Sequence, residues 1–249
     1  MGLLSTYSIG CFPGCSAVWP FMRWTQWTLA ALVAGGLAAA SVSAQPSPPA
    51  PQARFVVVLD AAHGGDDTGG HLSGGQLEKA YTLALSVRLR SLLAARGIQV
   101  VTTRESDATV DANKRAEIAN HAQARACLSL HASESGSGIH LFASSLTPAQ
   151  PTRFVAWKTA QAASVTRSLA LAGVLNSALL HAGMSVTLGR TTLPALDSMT
   201  CPAVAVEVSP ERSTLQEISA GLDDKNYQAR VAAALAAALV EWRTEARQP

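Results

Sequence analysis

Four side chains in this sequence could do metal or acid–base chemistry together. His63 lies in a glycine-rich loop just past the apolar run Phe55–Leu59. His131 ends the run Ala126–Leu130, Glu207 stands near the end of the run Ala203–Val208, and Glu78 opens the first helical pattern after the glycine loop. Two imidazoles and a carboxylate are a known ligand set for catalytic zinc, with a fourth position left to water. Such a metal lowers the pKa of water and polarises a scissile carbonyl. A further carboxylate, close but off the metal, can take and return the proton. Together they make a hydrolytic apparatus with no serine or cysteine nucleophile. Read singly, a histidine at a strand end is more often a hydrogen-bonded structural residue, so the residue types alone leave the metal site open.

The elements around these residues decide whether they can meet. Short, continuous apolar runs at Phe55–Leu59, Ile98–Thr102, Ala126–Leu130, Gly138–Phe142 and Ala203–Val208 read as strands, most of them buried on both faces. Between them, Glu78–Arg96 carries Leu83, Val87, Leu89, Leu92 and Leu93 and stops at Gly97, a helix with a glycine C-cap. Val110–Ala122, Val165–Ala182 and Asn226–Arg243 read as further helices, and Leu146–Thr152 as loop. Strands alternating with helices predict a single α/β domain, with a mixed, mainly parallel sheet of about six strands and helices on both faces. In open sheets of this kind, ligands gather at the carboxyl ends of strands, where His63, His131 and Glu207 fall.

Composition agrees with a folded chain: 48% of the 249 residues are hydrophobic, only 14% are charged, and the net charge is +2. No basic run suggests nucleic acid as a partner. Residues 1–44 hold no Asp or Glu; Trp27–Val42 is apolar and rich in Ala and Gly, and Val42-Ser43-Ala44 has the small residues that signal peptidase needs before Gln45. The run is short for a bilayer span, so a cleaved secretory signal over 1–44 is expected, leaving no stable membrane anchor. Its positive charge is Arg23, directly after Met22, so residues 1–21 fit no part of a signal and translation is expected to start at Met22. Residues 45–53 form a Pro-rich linker, and 54–249 the domain. An exported protein, periplasmic or extracellular, would then keep Cys127 and Cys201 alone. The two sit toward the starts of their strands and are expected not to bind metal; whether they pair stays open.

The segments FVVVLDAAHGGDDTGG, QLEKAYTLALSVRLRSLLAARGIQVVTTRESD, CLSLHAS and CPAVAVEVS resemble, in order and spacing, the zinc-dependent type-3 N-acetylmuramoyl-L-alanine amidases. The similarity runs from Phe55 to the last helix. It implies a peptidoglycan substrate, cut between N-acetylmuramic acid and L-alanine. It also implies one Zn2+ bound by His63, Glu78 and His131, with Glu207 catalytic. Rival readings are a zinc peptidase acting within the stem peptide and a non-catalytic wall-binding protein. The chain departs from the family pattern at Ala61-Ala62, where Pro-Gly is usual, at Ser133, where Asn or Asp is usual, and at Ser209-Pro210, where Gly-Phe is usual. Some members carry a helix that plugs the zinc until an activator moves it. Only about 25 residues separate the fourth strand from the long helix here, so no activator protein is expected. Oligomeric state is not legible.

Other polar residues have plainer expectations. His71 should be solvated in the loop, and His140 structural or on the surface. Asp60 and Asp67 should shape the loop through backbone hydrogen bonds, with Asp60 able to orient His63. Arg104 should form a structural ion pair, and Trp157 has no assigned role.

Overall fold

Val57, Val58, Leu59 and Ala61 have no exposed surface, because β1 (Val56–Ala61) is flanked by a strand on each side in a six-stranded sheet covered on both faces. The computed structural model describes residues 54–150, 156–212 and 217–245. The expected signal peptide, its cleavage site and the Pro-rich linker lie outside the described residues, as does part of the expected loop Leu146–Thr152. After β1 come α1 (Glu78–Ala94), β2 (Gln99–Thr102), α2 (Ala112–His121), β3 (Ala126–Ala132) and β4 (Ile139–Ser144). Then follow α3 (Val165–His181), β5 (Val186–Thr191), α4 (Pro194–Asp197), β6 (Ala203–Val208), β7 (Glu211–Arg212), β8 (Ile218–Ala220) and α5 (Lys225–Glu245). The main sheet has the order β2-β1-β3-β6-β4-β5. Its pairings are parallel except β4 with β6.

One face of the sheet packs against α1, α3 and α5 around Leu59, Leu128, Leu130, Leu141 and Val206. The buried side of α1 is the stripe Tyr81, Leu85, Leu89 and Leu93, spaced at i, i+4. Val87, counted in the sequence among the apolar positions of this helix, is 43% exposed. Small residues let α5 pack closely, with Ala232, Ala236 and Ala238 fully buried beside Leu235 and Leu239. The opposite face is thinner. There α2 and α4 cover Val58, Cys127, Ala203 and Ala205. Asp111 caps α2 by accepting from the Lys114 amide at 2.9 Å.

Elements absent from the sequence reading are β5, α4, the β7–β8 pair and the 3₁₀ turn Trp157–Ala163, on which Trp157 is 44% exposed. No single helix among the described residues is long and apolar enough to cross a membrane. Cys127 and Cys201 form a disulfide with Cα atoms 6.2 Å apart, bridging β3 and the entry to β6.

Candidate active site

Three sheet ends and one helix start bring the four expected residues to one place. Strand β1 delivers His63, α1 opens on Glu78, and His131 and Glu207 are register partners on β3 and β6. Glu78 lies between the two histidines. Its Oε2 is 3.1 Å from His63 Nε2, and its Oε1 is 3.2 Å from His131 Nδ1. The rings stand edge to face, with centroids 5.7 Å apart. One ligand atom from each of the three lies within 4.8 Å of the others, a spacing that could hold a metal ion. Glu207 is half-buried and lines the cleft that His63, Glu78 and His131 open into.

Charge at the centre is set by Glu78. Burial alone would raise its pKa. Hydrogen bonds from His131, His63 and the Gly70 and Ala132 amides outweigh that and hold the carboxyl well below the usual range. The same hydrogen bond to Glu78, aided by Asp67 against burial, raises the pKa of His63. A fixed anion between two imidazoles suits a divalent cation. Each imidazole also has a partner on its far side. His63 Nδ1 meets Asp67 Oδ1 at 2.8 Å, and His131 Nε2 meets the Ser129 hydroxyl at 3.3 Å. With a cation in place of the protons shared with Glu78, these partners would favour the tautomers that turn the lone pairs of His63 Nε2 and His131 Nδ1 toward it.

The loop that aims His63 is held by two buried arginines. His63 has φ 61°, a left-handed conformation that costs a non-glycine residue on the order of 1 kcal/mol. Arg115 donates to the His63 carbonyl at 2.8 Å and to Ala61 at 2.7 Å, while Arg104 donates to Ala61 at 2.9 Å and Ala62 at 3.0 Å. Arg104 therefore does not make the expected ion pair: it binds carbonyls and the Thr82 hydroxyl. Asp60 does not shape the loop or reach His63. It is buried, paired with Arg115 at 2.6 Å, and accepts from Thr103 and from Ser129, which in turn meets His131. Asp67 has the role considered for Asp60: it holds His63, and it also accepts from the Gly69 amide.

Residues beyond the expected four complete the site. A Cβ on Gly69 would lie 2.6 Å from His63 and 2.7 Å from Glu78, so only glycine fits against this pair. Ser129 was legible in principle, since it stands two residues before His131 and so shares its strand face. Ser133 accepts the Ser135 amide and lines the cleft. Ser209 is fully buried: its hydroxyl donates to Ser135, and its carbonyl accepts from Tyr227, tying the strand end beyond Glu207 to α5. His71 is exposed at the cleft rim. His140 faces Glu207 in the antiparallel β4–β6 pairing and stacks on Phe142, with a buried Nε2 that has no hydrogen-bond partner among the described residues.

Residues 57–241 match the family model for N-acetylmuramoyl-L-alanine amidase, Amidase_3. The chain belongs to this family. Among relatives, the N-acetylmuramoyl-L-alanine amidase AmiA of Escherichia coli (strain K12) is 42% identical over 77 residues, covering 31% of this chain and 27% of that protein. The germination-specific N-acetylmuramoyl-L-alanine amidase of Bacillus subtilis (strain 168) is 34% identical over 90 residues, 30% of this chain and 38% of its own length. The matched stretches thus span well under half of these relatives. Among solved structures, the catalytic domain of CwlV, an N-acetylmuramoyl-L-alanine amidase from Bacillus (Paenibacillus) polymyxa var. colistinus, superposes with a TM-score of 0.61 at 25% identity, covering 76% of this chain and 98% of that one. The Ami1 amidase of Mycobacterium smegmatis has the same fold, with a TM-score of 0.61 at 21% identity, over 77% of this chain and 97% of that one.

Proposed function

We propose that this amidase-family protein hydrolyses the amide between N-acetylmuramic acid and L-alanine in peptidoglycan, with one zinc ion held by His63, Glu78 and His131. The observation that carries the reading is the convergence of those three ligand atoms within 4.8 Å, beside Glu207, in a chain that matches the family from residue 57 to 241. Zinc, when bound, supplies Lewis acidity toward water and the scissile carbonyl. The remaining work falls to the protein. Glu78 contributes the negative charge, while Asp67 and Ser129 orient the two imidazoles. Glu207 takes a proton from the attacking water and passes it to the departing nitrogen. Gly69 leaves the space in which the three ligands close up.

Export fits this substrate, because the wall lies outside the cytoplasmic membrane. The expected signal over 1–44 supports it, and so does the Cys127–Cys201 disulfide, a bond that persists in oxidising compartments. The short connection between β4 and α3 supports activity without an activator.

Digestion of purified peptidoglycan by the purified protein alone, with the products separated and weighed by mass spectrometry, tests the reading. Stem peptides with a free L-alanine N-terminus are expected, together with uncut glycan. Fragments that keep L-alanine on the sugar would instead assign a peptidase, and binding without release would assign a wall-binding protein.

A further inference from the structure

We infer that two clefts meeting at the His63–His131 pair divide the substrate: the muramoyl sugar lies over Val110 and Leu193–Leu196, and the stem peptide lies beside Glu207. The inference rests on the amidase reading above. One cleft, of about 440 Å³, is walled by His71, Ser133, Glu134, Ser135 and Glu207. The other, of about 360 Å³, is walled by Thr109, Val110, Leu193, Pro194, Ala195 and Leu196. The linings have His63 and His131 in common. A chain whose scissile bond sits at the histidines therefore has one cleft for each of its ends.

Direction follows from the reaction. Hydrolysis breaks the bond between carbonyl carbon and nitrogen; the water oxygen joins the carbon, and the nitrogen leaves with the proton that Glu207 took from that water. The nitrogen must face Glu207, which places the peptide it belongs to in the cleft with Glu207. The acyl carbon then points the other way. The chemistry of the walls agrees. Val110, Leu193, Pro194 and Ala195 offer apolar surface to the C–H face of a sugar. Ser133, Ser135 and His71 offer hydrogen-bonding groups to a peptide backbone.

The apolar wall is preformed rather than loose. Pro194 opens α4, and Asp197 accepts from Ser144 at 2.5 Å. The fully buried Gln161 donates to the carbonyls of Leu196, Met199 and Cys201 at 3.0–3.3 Å. Across the cleft, Arg115 donates to the Val110 carbonyl at 2.8 Å. These backbone anchors leave the half-buried side chains of Val110 and Leu193 free to be exchanged without breaking them.

The test compares kcat/KM for two substrates of equal peptide length, N-acetylmuramoyl-L-alanyl-D-isoglutamine and the same dipeptide carrying only a D-lactoyl group. Leu193→Asp and, as a second variant, Val110→Asp should lower kcat/KM for the muramoyl compound about tenfold, the scale of one misplaced polar contact. Both should stay within about twofold of the unsubstituted protein on the lactoyl compound, by the same reasoning. Ser135→Trp, in the Glu207 cleft, should instead penalise a muramoyl tetrapeptide more than the dipeptide. The swapped pattern, with Leu193→Asp and Val110→Asp sensitive to peptide length and indifferent to the sugar, would overturn the inference, as would equal effects on both halves. An unsubstituted protein that binds zinc and cuts neither compound nor whole peptidoglycan would overturn the amidase reading itself.

Discussion

His131 on β3 and Glu207 on β6 are direct register partners in a parallel pairing, so both side chains leave the sheet on the same face and at the same height. One residue proposed to hold the metal and the one proposed to move the proton are thus positioned by a single pair of strands. At the far end of that pair, the Cys127–Cys201 disulfide joins the same two segments.

That bond closes a loop spanning 74 residues, and loop entropy of that size corresponds to about 4 kcal/mol of stability. Protein beginning at Gln45, unfolded without reductant, should show no free thiol. The double variant Cys127→Ala/Cys201→Ala should unfold at markedly lower denaturant concentration. Two free thiols in the unreduced protein would contradict the pairing.

The hydrogen-bonded chain from His131 through Ser129 to Asp60 predicts a graded loss of metal. Ser129→Ala should bind zinc about 10- to 100-fold more weakly while folding normally, as is typical when a ligand loses its outer partner. Asp60→Ala should do worse, because it also leaves Arg115 buried without its carboxylate, at a stability cost of about 3–5 kcal/mol. Competition with a chelator measures the first, and urea unfolding the second.

Two glycines with similar backbone angles separate steric fit from backbone strain. Gly69 (φ 63°) has no room for a Cβ beside His63 and Glu78, whereas a Cβ on Gly74 (φ 70°) would meet nothing. Gly69→Ala should displace the ligands and lower the rate about 100-fold, the usual consequence of a misplacement near 1 Å. Gly74→Ala should keep its zinc and nearly all its activity. Equal losses in the two variants would mean that backbone strain, and not contact with the ligands, is what Gly69 avoids.

Processing gives a fourth expectation. N-terminal sequencing of exported protein should begin at Gln45, after Val42-Ser43-Ala44. A mature form that retains Trp27–Val42 would be membrane-anchored and would contradict the proposed release.

Much of this site was legible in the sequence because its parts sit where strong local signals end. The runs before His63 and His131 and around Glu207 are continuous and apolar, as strands covered on both faces must be. Strand β5 was not legible for the converse reason: Val186–Thr191 lies at the sheet edge, with Thr187 and Leu188 exposed, and lacks a continuous apolar run. The four-residue α4 is too short for any periodicity to show. The roles of Asp60, Asp67 and Arg104 depend on partners brought together by folding. Asp60 meets Arg115 across 55 residues of chain, and Arg104 meets Ala61 across 43. No spacing rule reaches that far. The Cys127–Cys201 bond likewise required knowing that β3 and β6, distant in sequence, are neighbours.

The most direct measurement sets zinc content beside peptide release for Glu207→Gln and His131→Ala. Glu207→Gln should hold one zinc per chain and lose about 10²- to 10⁴-fold in rate, the usual worth of general acid–base catalysis. His131→Ala should be inactive and zinc-poor, because a three-ligand site has none to spare. A Glu207→Gln protein that lost zinc as readily as His131→Ala would make Glu207 a ligand, and one that kept full activity would contradict the proposed hydrolytic mechanism outright.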